Sequence, residues 1–312
     1  MNPFKESDWS VDPKDFVINK DRKCIKAGYQ CVYFGIQRST KHKCVIKQTH
    51  QTLKEEKAKR AFDRNIYTLA TVDHPVMVPF VGFYEKNNYG FSIEVEIEKG
   101  SLLYYLEERR NGHIEPLFDD THKLIISYGI SHLMKHLHEH RIVNRDLKSS
   151  NVLLDSKLHP YLTDFGTSLL IDPSIKIDKT LEATTPAYMA PEFHNYPELY
   201  SNTFPIDVYS FGITMYELIT ELPPWQQCRN PFQIIRAVTS GERPEMPQSV
   251  PSNWKELITV CWAQEPDCRP TFEDICDVLE SDEFVNDSID RQAFEDYKES
   301  LNMTNKQQKE ET

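Results

Sequence analysis

The sequence predicts an α+β fold of two lobes, a small β-rich N-terminal lobe with one main helix and a larger helical C-terminal lobe. From Phe16 to Ile97 the chain consists mostly of short extended segments separated by turn residues, at Cys31–Gln37, Cys44–Gln48, Met77–Tyr84 and Tyr89–Ile97. One helical stretch interrupts them, from about Gln51 to Thr71, with Ala58, Ala61, Phe62, Ile66 and Leu69 at helical spacing. After Gly100 helical patterns take over, at Leu102–Arg110, His122–His140, Asp207–Thr220 and Trp254–Ala263. The lobes join near Glu96–Gly100, and the cleft between them is the natural ligand site. The resulting division is an N-terminal extension over 1–15, a domain over 16–280 with lobes 16–97 and 98–280, and a charged tail over 281–312. In the tail, Ile289, Phe294, Tyr297 and Leu301 form one apolar helical face, read as packing back on the domain.

Composition narrows the function classes. A formal charge of -12 excludes a broad electrostatic footprint on nucleic acid or anionic lipid. Seven cysteines, an odd number without Cys-x-x-Cys spacing, in a chain large enough to need no staples, read as reduced thiols. The first residues lack an apolar signal core, and no apolar run is long enough to span a bilayer. Cytoplasm, with the nucleus as the other compartment, is the location this implies.

The chemistry concentrates between Asn144 and Gly166. Asn144-Arg145-Asp146-Leu147-Lys148-Ser149-Ser150-Asn151 precedes a hairpin over Val152–Thr163 and then Asp164-Phe165-Gly166. Asp, Asn and Gly also mark ordinary turns. Their order here, together with the motifs that follow, resembles the catalytic loop and metal-binding turn of eukaryotic protein kinases. The resemblance implies a two-lobed protein-kinase-like fold and phosphoryl transfer from ATP with Mg2+. That chemistry needs a carboxylate beside the attacking hydroxyl, the role implied for Asp146, and oxygen ligands for magnesium, implied for Asn151 and Asp164. Lys148 would neutralise charge on the transferring phosphate, and in this family a lysine there accompanies serine/threonine specificity.

Further motifs extend the likeness from about Phe16 to Leu279. Ala190-Pro191-Glu192 resembles the end of an activation segment, with Arg269 of Cys268-Arg269-Pro270-Thr271 as its ion-pair partner. Asp207-Val208-Tyr209-Ser210-Phe211-Gly212 resembles the start of the central helix, whose Asp holds the catalytic-loop backbone. Pro223-Pro224-Trp225 and Cys261-Trp262 complete a pattern similar to the tyrosine-kinase-like group of serine/threonine kinases. Thr185 matches the threonine that bonds the catalytic Asp and Lys in serine/threonine enzymes.

The small lobe departs from the family. Lys47, fifteen positions after Val32, matches the lysine that contacts nucleotide phosphates, yet its acidic helix partner falls at Asn65, which is uncharged. Asp63 cannot substitute, because two residues along a helix turn a side chain by about 200°. Asn65 is left as a hydrogen-bond acceptor for Lys47. In Ile25-Lys26-Ala27-Gly28-Tyr29-Gln30-Cys31-Val32 the flanking glycines of the nucleotide-covering loop have become Lys26 and Gln30, which bring a Cβ where backbone N–H groups approach phosphates. Gly28 is the middle glycine and Ile25 opens the loop. Val45 replaces a small alanine against adenine, while Val32 and Leu153 sandwich the base.

Two registers compete at the junction of the lobes. Alternation of Phe91, Ile93, Val95 and Ile97 puts Val95 at the back of the pocket and Glu96 first in the connection, and we read it so. Counting back from Gly100-Ser101-Leu102 puts Glu94 at the back instead, where it would lie close to Lys47 and replace the missing helix carboxylate. Asn144 stands where the family has histidine, a side chain that supports the loop backbone beneath Phe165. Arg145 is retained as a receiver for a phosphorylated residue, with Thr180, Ser174 and Ser168 as candidates.

The implied function is an ATP- and Mg2+-dependent protein serine/threonine kinase acting on protein substrates, with no nucleic-acid partner and no membrane insertion. The competing class is a pseudokinase, a nucleotide-binding or scaffold module with weak or no transfer. Asn65, Lys26, Gln30, Val45 and Asn144 favour it, and the set of Lys47, Asp146, Asn151 and Asp164 opposes it. Tyrosine specificity is opposed by Lys148 and Thr185. Substrate and oligomeric state are left open.

Overall fold

A computed structural model describes residues 4–27, 30–113, 118–171, 185–195 and 203–310. The chain divides into two compact units, Met1–Asp73 with Met77–Glu98 and Asp164–Ser168, and His74–Val76 with Lys99–Thr163 and Leu169–Thr312.

The first unit is a twisted antiparallel sheet with one long helix. Its strands are β1 (Phe16–Ile18), β2 (Ile25–Ala27), β3 (Gln30–Gln37), β4 (Lys43–Thr49), β5 (Phe80–Lys86) and β6 (Tyr89–Val95), in the order β1-β3-β4-β6-β5 with β2 pairing β3. Alternation divides β4 and β6 between two environments. Cys44, Ile46 and Ile93 join Phe16 in one buried cluster, flanked by Val11, Tyr84 and Phe91. On the opposite face, Phe83 of β5 meets Phe62 and Ile66 of α2 (Glu56–Thr71), and Phe4, Trp9 and Phe80 close that cluster. The helix begins later than its apolar pattern suggests because Leu53 N–H is taken by Asn88 O at 2.6 Å, outside any helix. β5 likewise begins at Phe80, after Pro79, which has no N–H to offer a ladder. A short helix, α1 (Glu6–Trp9), leads the chain onto β5, where Val11 N–H donates to Phe83 O at 3.0 Å. Gly82, at φ 148, permits this approach, since a Cβ there would stand 2.6 Å from Trp9 O.

The second unit is mainly helical. It contains α3 (Leu102–Arg110), α4 (Asp120–Glu139), α5 (Pro191–Asn195), α6 (Pro205–Thr220), α7 (Pro231–Thr239), α8 (Ser252–Cys261), α9 (Phe272–Leu279) and α10 (Arg291–Glu310). Two short antiparallel pairs, β7 (Ile142–Val143) with β10 (Leu169–Leu170) and β8 (Val152–Leu154) with β9 (Pro160–Leu162), carry the loop that runs from β7 to β8. Every residue of α6 from Ile206 to Ile219 is buried, as expected for a helix that is apolar all round. A capping box between Thr271 and Asp274 starts α9. Strands β1 and β2 and helices α7 and α9 were not anticipated from periodicity, each being only a few residues or two turns long.

The tail helix α10 packs on α4. Phe294, Tyr297 and Leu301 are buried and Ile289 is half-buried, so the apolar face read from sequence does face the domain. Phe294 meets Tyr128 edge-on, Lys298 pairs with Glu280 at 2.6 Å, and Asp290 N–H donates to Thr121 Oγ1. The fit depends on Gly129, where a Cβ would strike Tyr297 Oη and stand 2.7 Å from Pro160 Cγ. Tyr297 Oη is buried with no hydrogen-bond partner among the described residues. We therefore expect Gly129→Ala to lose about 1–3 kcal/mol to overpacking, outweighing the helix-propensity gain of up to about 1 kcal/mol. Tyr297→Phe, which removes an unpaired buried hydroxyl, should cost almost nothing and should relieve Gly129→Ala in the double variant. Urea unfolding of the three variants checks this, and a Gly129→Ala protein as stable as the native one would contradict the packing described.

Candidate active site

Each unit carries one half of the predicted chemistry. In the first, Lys47 and Val45 of β4 and Val32 of β3 share a sheet face, since Val32 lies opposite Lys47 in the ladder. Ile25 of β2 lies opposite Val32 and is exposed. Gly28 lies outside the described residues, as do Thr180 and Ser174. β6 contributes Ser92 and Glu94 to the same face, with Ser92 opposite Lys47 and Glu94 opposite Val45. The expectation of Val95 at the back is thus corrected. Val95 lies opposite Cys44, on the side of the Phe16 cluster, and Glu94 is the residue beside the lysine. The apolar alternation was a true signal of burial, but it marked the sheet's other core. Lys47 Nζ meets Glu94 Oε2 at 2.7 Å, with both side chains buried. The Glu96 carboxylate pairs with Arg22, whose guanidinium lies 3.4 Å from the Phe34 ring centroid, and Glu96 N–H donates to Lys43 O. With Glu94 inward, Val95 rather than Glu96 is the first residue past the back position.

Asp164 sits at φ 67 in the left-handed region, at the start of a turn held by α2. Asn65 Oδ1 accepts Phe165 N–H at 2.9 Å, Arg64 Nε donates to Gly166 O at 3.0 Å, and Thr68 shares a hydroxyl bond with Ser168 at 3.0 Å. Asn65 was read as an acceptor for Lys47, whereas its amide oxygen is engaged by the Phe165 backbone. Ser168 was a candidate for phosphorylation, but it is buried and its hydroxyl donates to Phe165 O at 2.6 Å.

In the second unit the loop from Asn144 to Asn151 is held from below by Asp207. Its carboxylate accepts Asn144 N–H and Arg145 N–H, both at 2.8 Å, and lies 3.0 Å from His138 Nε2. Asn144 Oδ1 accepts Asp146 N–H at 3.0 Å, so the asparagine supports the loop through its own amide. Lys148 Nζ bonds both Asp146 carboxylate oxygens, at 2.8 and 2.7 Å, and reaches Thr185 Oγ1 at 3.4 Å. Asn151 Nδ2 donates to Asp146 O and Oδ2, which leaves its amide oxygen as the atom suited to a hard cation. Leu153, on β8, is half-buried and bridges Ser101. Arg269 meets Glu192 through two parallel bonds of 2.6 and 2.8 Å, a bidentate buried pair.

A further network escaped the sequence reading. Tyr188 Oη donates to Glu217 Oε2 at 2.6 Å and lies 3.1 Å from Ser149 Oγ, while Ser210 Oγ donates to Tyr188 O and Trp225 Nε1 to Ala187 O. These bonds fix the segment after Thr185 to the loop from Asn144 to Asn151 and to α6. The signal was Glu217 itself, an acid inside the apolar run Phe211–Ile219, where burial demands a partner. Burial raises the Glu217 pKa above the ordinary carboxylate value, and the Ser149 and Tyr188 hydroxyls pull it back.

Removing the Tyr188 hydroxyl raises that pKa further. The folded protein then keeps its proton to higher pH than the unfolded chain, so stability falls as pH rises through the folded pKa. Tyr188→Phe should cost about 1.5–3 kcal/mol, with the larger loss at pH 8 and the smaller at pH 5. Denaturant midpoints at the two pH values measure it, and an equal loss at both would show that Glu217 does not titrate as described.

Comparison with known proteins agrees with this geometry. Residues 23–279 match the family described as protein tyrosine and serine/threonine kinase. A probable LIM domain-containing serine/threonine-protein kinase of Dictyostelium discoideum is 36% identical over 221 residues, covering 70% of this chain and 32% of that protein. Serine/threonine/tyrosine-protein kinase HT1 of Arabidopsis thaliana is 31% identical over 290 residues, covering 91% of this chain and 71% of HT1. Dual specificity protein kinase shkB of Dictyostelium discoideum is 30% identical over 299 residues, covering 93% of this chain and 44% of shkB. The chain thus spans about a third of the first of these relatives. With the matched span reaching from the sheet through α9, the chain belongs to the protein tyrosine and serine/threonine kinase family.

Proposed function

We propose that the chain is an ATP- and Mg2+-dependent protein serine/threonine kinase of the tyrosine-kinase-like group, acting on protein substrates in the cytoplasm. The observation that carries this is the Asp146 carboxylate, oriented by Lys148 and Asn151 with Thr185 beside them. A carboxylate fixed in this way is placed to orient a substrate hydroxyl and take its proton. Lys148 supplies positive charge next to that carboxylate, suited to the phosphoryl group as it moves. The Lys47 face of the sheet, with Val32 and Val45, is read as the nucleotide's, and Ile25, Gly28, Glu96 and Leu153 complete that assignment. Asn151 and Asp164 would hold magnesium, which draws charge from the nucleotide phosphates when bound. Lys148 and Thr185 favour serine and threonine over tyrosine, and the relatives named above include serine/threonine kinases. Seven free cysteines accord with a reducing compartment. No helix among the described residues is long and apolar enough to cross a membrane.

The test is labelled-phosphate incorporation into a generic protein substrate with Mg·ATP, followed by phosphoamino-acid analysis. Asp146→Asn should lower incorporation by about 10²–10⁴-fold while the melting temperature stays near native. The label should sit on serine and threonine. Equal, negligible incorporation by both proteins would sink the enzyme reading and leave a binding module.

A further inference from the structure

Lys47 and Glu94 belong to adjacent strands of one ladder, whose pairs run from Cys44 opposite Val95 to Gln48 opposite Phe91. Within it Glu94 is the diagonal neighbour of Lys47 on the same face, a relation long side chains span readily. Strand register therefore brings the 2.7 Å pair together. A lysine held by a helix carboxylate depends on where the helix docks. A lysine held by its own sheet does not.

The helix position left without a carboxylate has another task. Arg64, Asn65 and Thr68 lie on one side of α2, three and four residues apart, and bond Gly166 O, Phe165 N–H and the Ser168 hydroxyl in turn. Asn65 and Thr68 are buried, so these bonds carry the full cost of desolvation if lost.

We propose that two positioning jobs fall to different elements here: Glu94 is the positioning residue for Lys47, and α2 through Asn65 positions the Asp164–Gly166 turn. This rests on the nucleotide assignment made above and deepens it. Glu94 touches no reacting atom. It sets the position from which the Lys47 ammonium would meet the phosphates, while Asn65 sets the turn whose Asp164 carboxylate would help hold the cation. Nucleotide affinity and magnesium requirement are then separable by mutation.

Titration calorimetry with Mg·ATP, repeated over a range of magnesium concentrations, tests the division without relying on turnover. Glu94→Gln should weaken ATP affinity by about tenfold to a hundredfold at saturating magnesium, the loss expected when a charge-assisted bond that orients the ammonium is weakened. Glu94→Asp, which keeps the charge, should recover part of it, and circular dichroism confirms that each variant is folded. Asn65→Ala should leave affinity at saturating magnesium within about twofold, as the Lys47 contact is untouched, and should raise several-fold the magnesium needed for half-maximal binding. Asn65→Asp, which still accepts the Phe165 N–H, should restore the native requirement. Native affinity in folded Glu94→Gln, or an Asn65→Ala protein that loses affinity as Glu94→Gln does, overturns the division. Binding that behaves as described in a chain without Asp146-dependent transfer would sustain the division and sink only the enzyme reading. A native chain that binds no Mg·ATP overturns both.

Discussion

The Asp207 carboxylate, wholly buried at the start of α6, accepts the consecutive backbone N–H groups of Asn144 and Arg145 and faces the His138 ring. The loop from Asn144 to Asn151 hangs from it. Arg145 is held at φ 65, a left-handed conformation that a non-glycine residue keeps only when its surroundings insist. The next residue, Asp146, takes its direction from that turn, with its N–H on Asn144 Oδ1. Freeing the loop would strip a buried charge of two donors, at a cost of about 1–3 kcal/mol or more. The anchor cannot drift, because α6 is buried along nearly its whole length.

The same rule, that a buried polar group must be matched, shapes the first unit. A buried ion pair contributes little net stability, since desolvation offsets the attraction. The value of the Lys47–Glu94 pair lies in geometry. It helps hold the long lysine side chain in one place beside the sheet. Glu192 and Arg269 show the complementary case, a bidentate pair that ties the start of α5 to the segment before α9 and would leave an uncompensated charge if either member were lost.

The strength of the sequence reading followed the range of the interactions. The loop from Asn144 to Asn151 was legible because its bonds run between near neighbours, such as Lys148 to Asp146 and Asn151 to Asp146. Long helices announced themselves by period, while α7 and α9, two turns each, did not. Register across β4 and β6 was misread because both faces of β6 are buried, and the alternation of Phe91, Ile93 and Val95 tells which residues share a face without telling which face meets the helix. The role of Asn65 was hidden for another reason. Its partner, Phe165, lies 100 residues away, and nothing local in α2 records it.

The short segment ahead of β1 is more than an appendage. β5 is the last strand of its sheet, and Ser10 pairs with Phe83 there while Val11 N–H takes Phe83 O. An open strand edge is a template for another chain, and this one is occupied by the protein's own backbone, with Trp9 lying over Phe80. A shortened protein beginning at residue 23, where the family match starts, would keep every residue assigned to catalysis. It would also bare a row of unpaired backbone groups beside a cluster of phenylalanines, and edge-to-edge association in concentrated solution is the behaviour that such a surface invites.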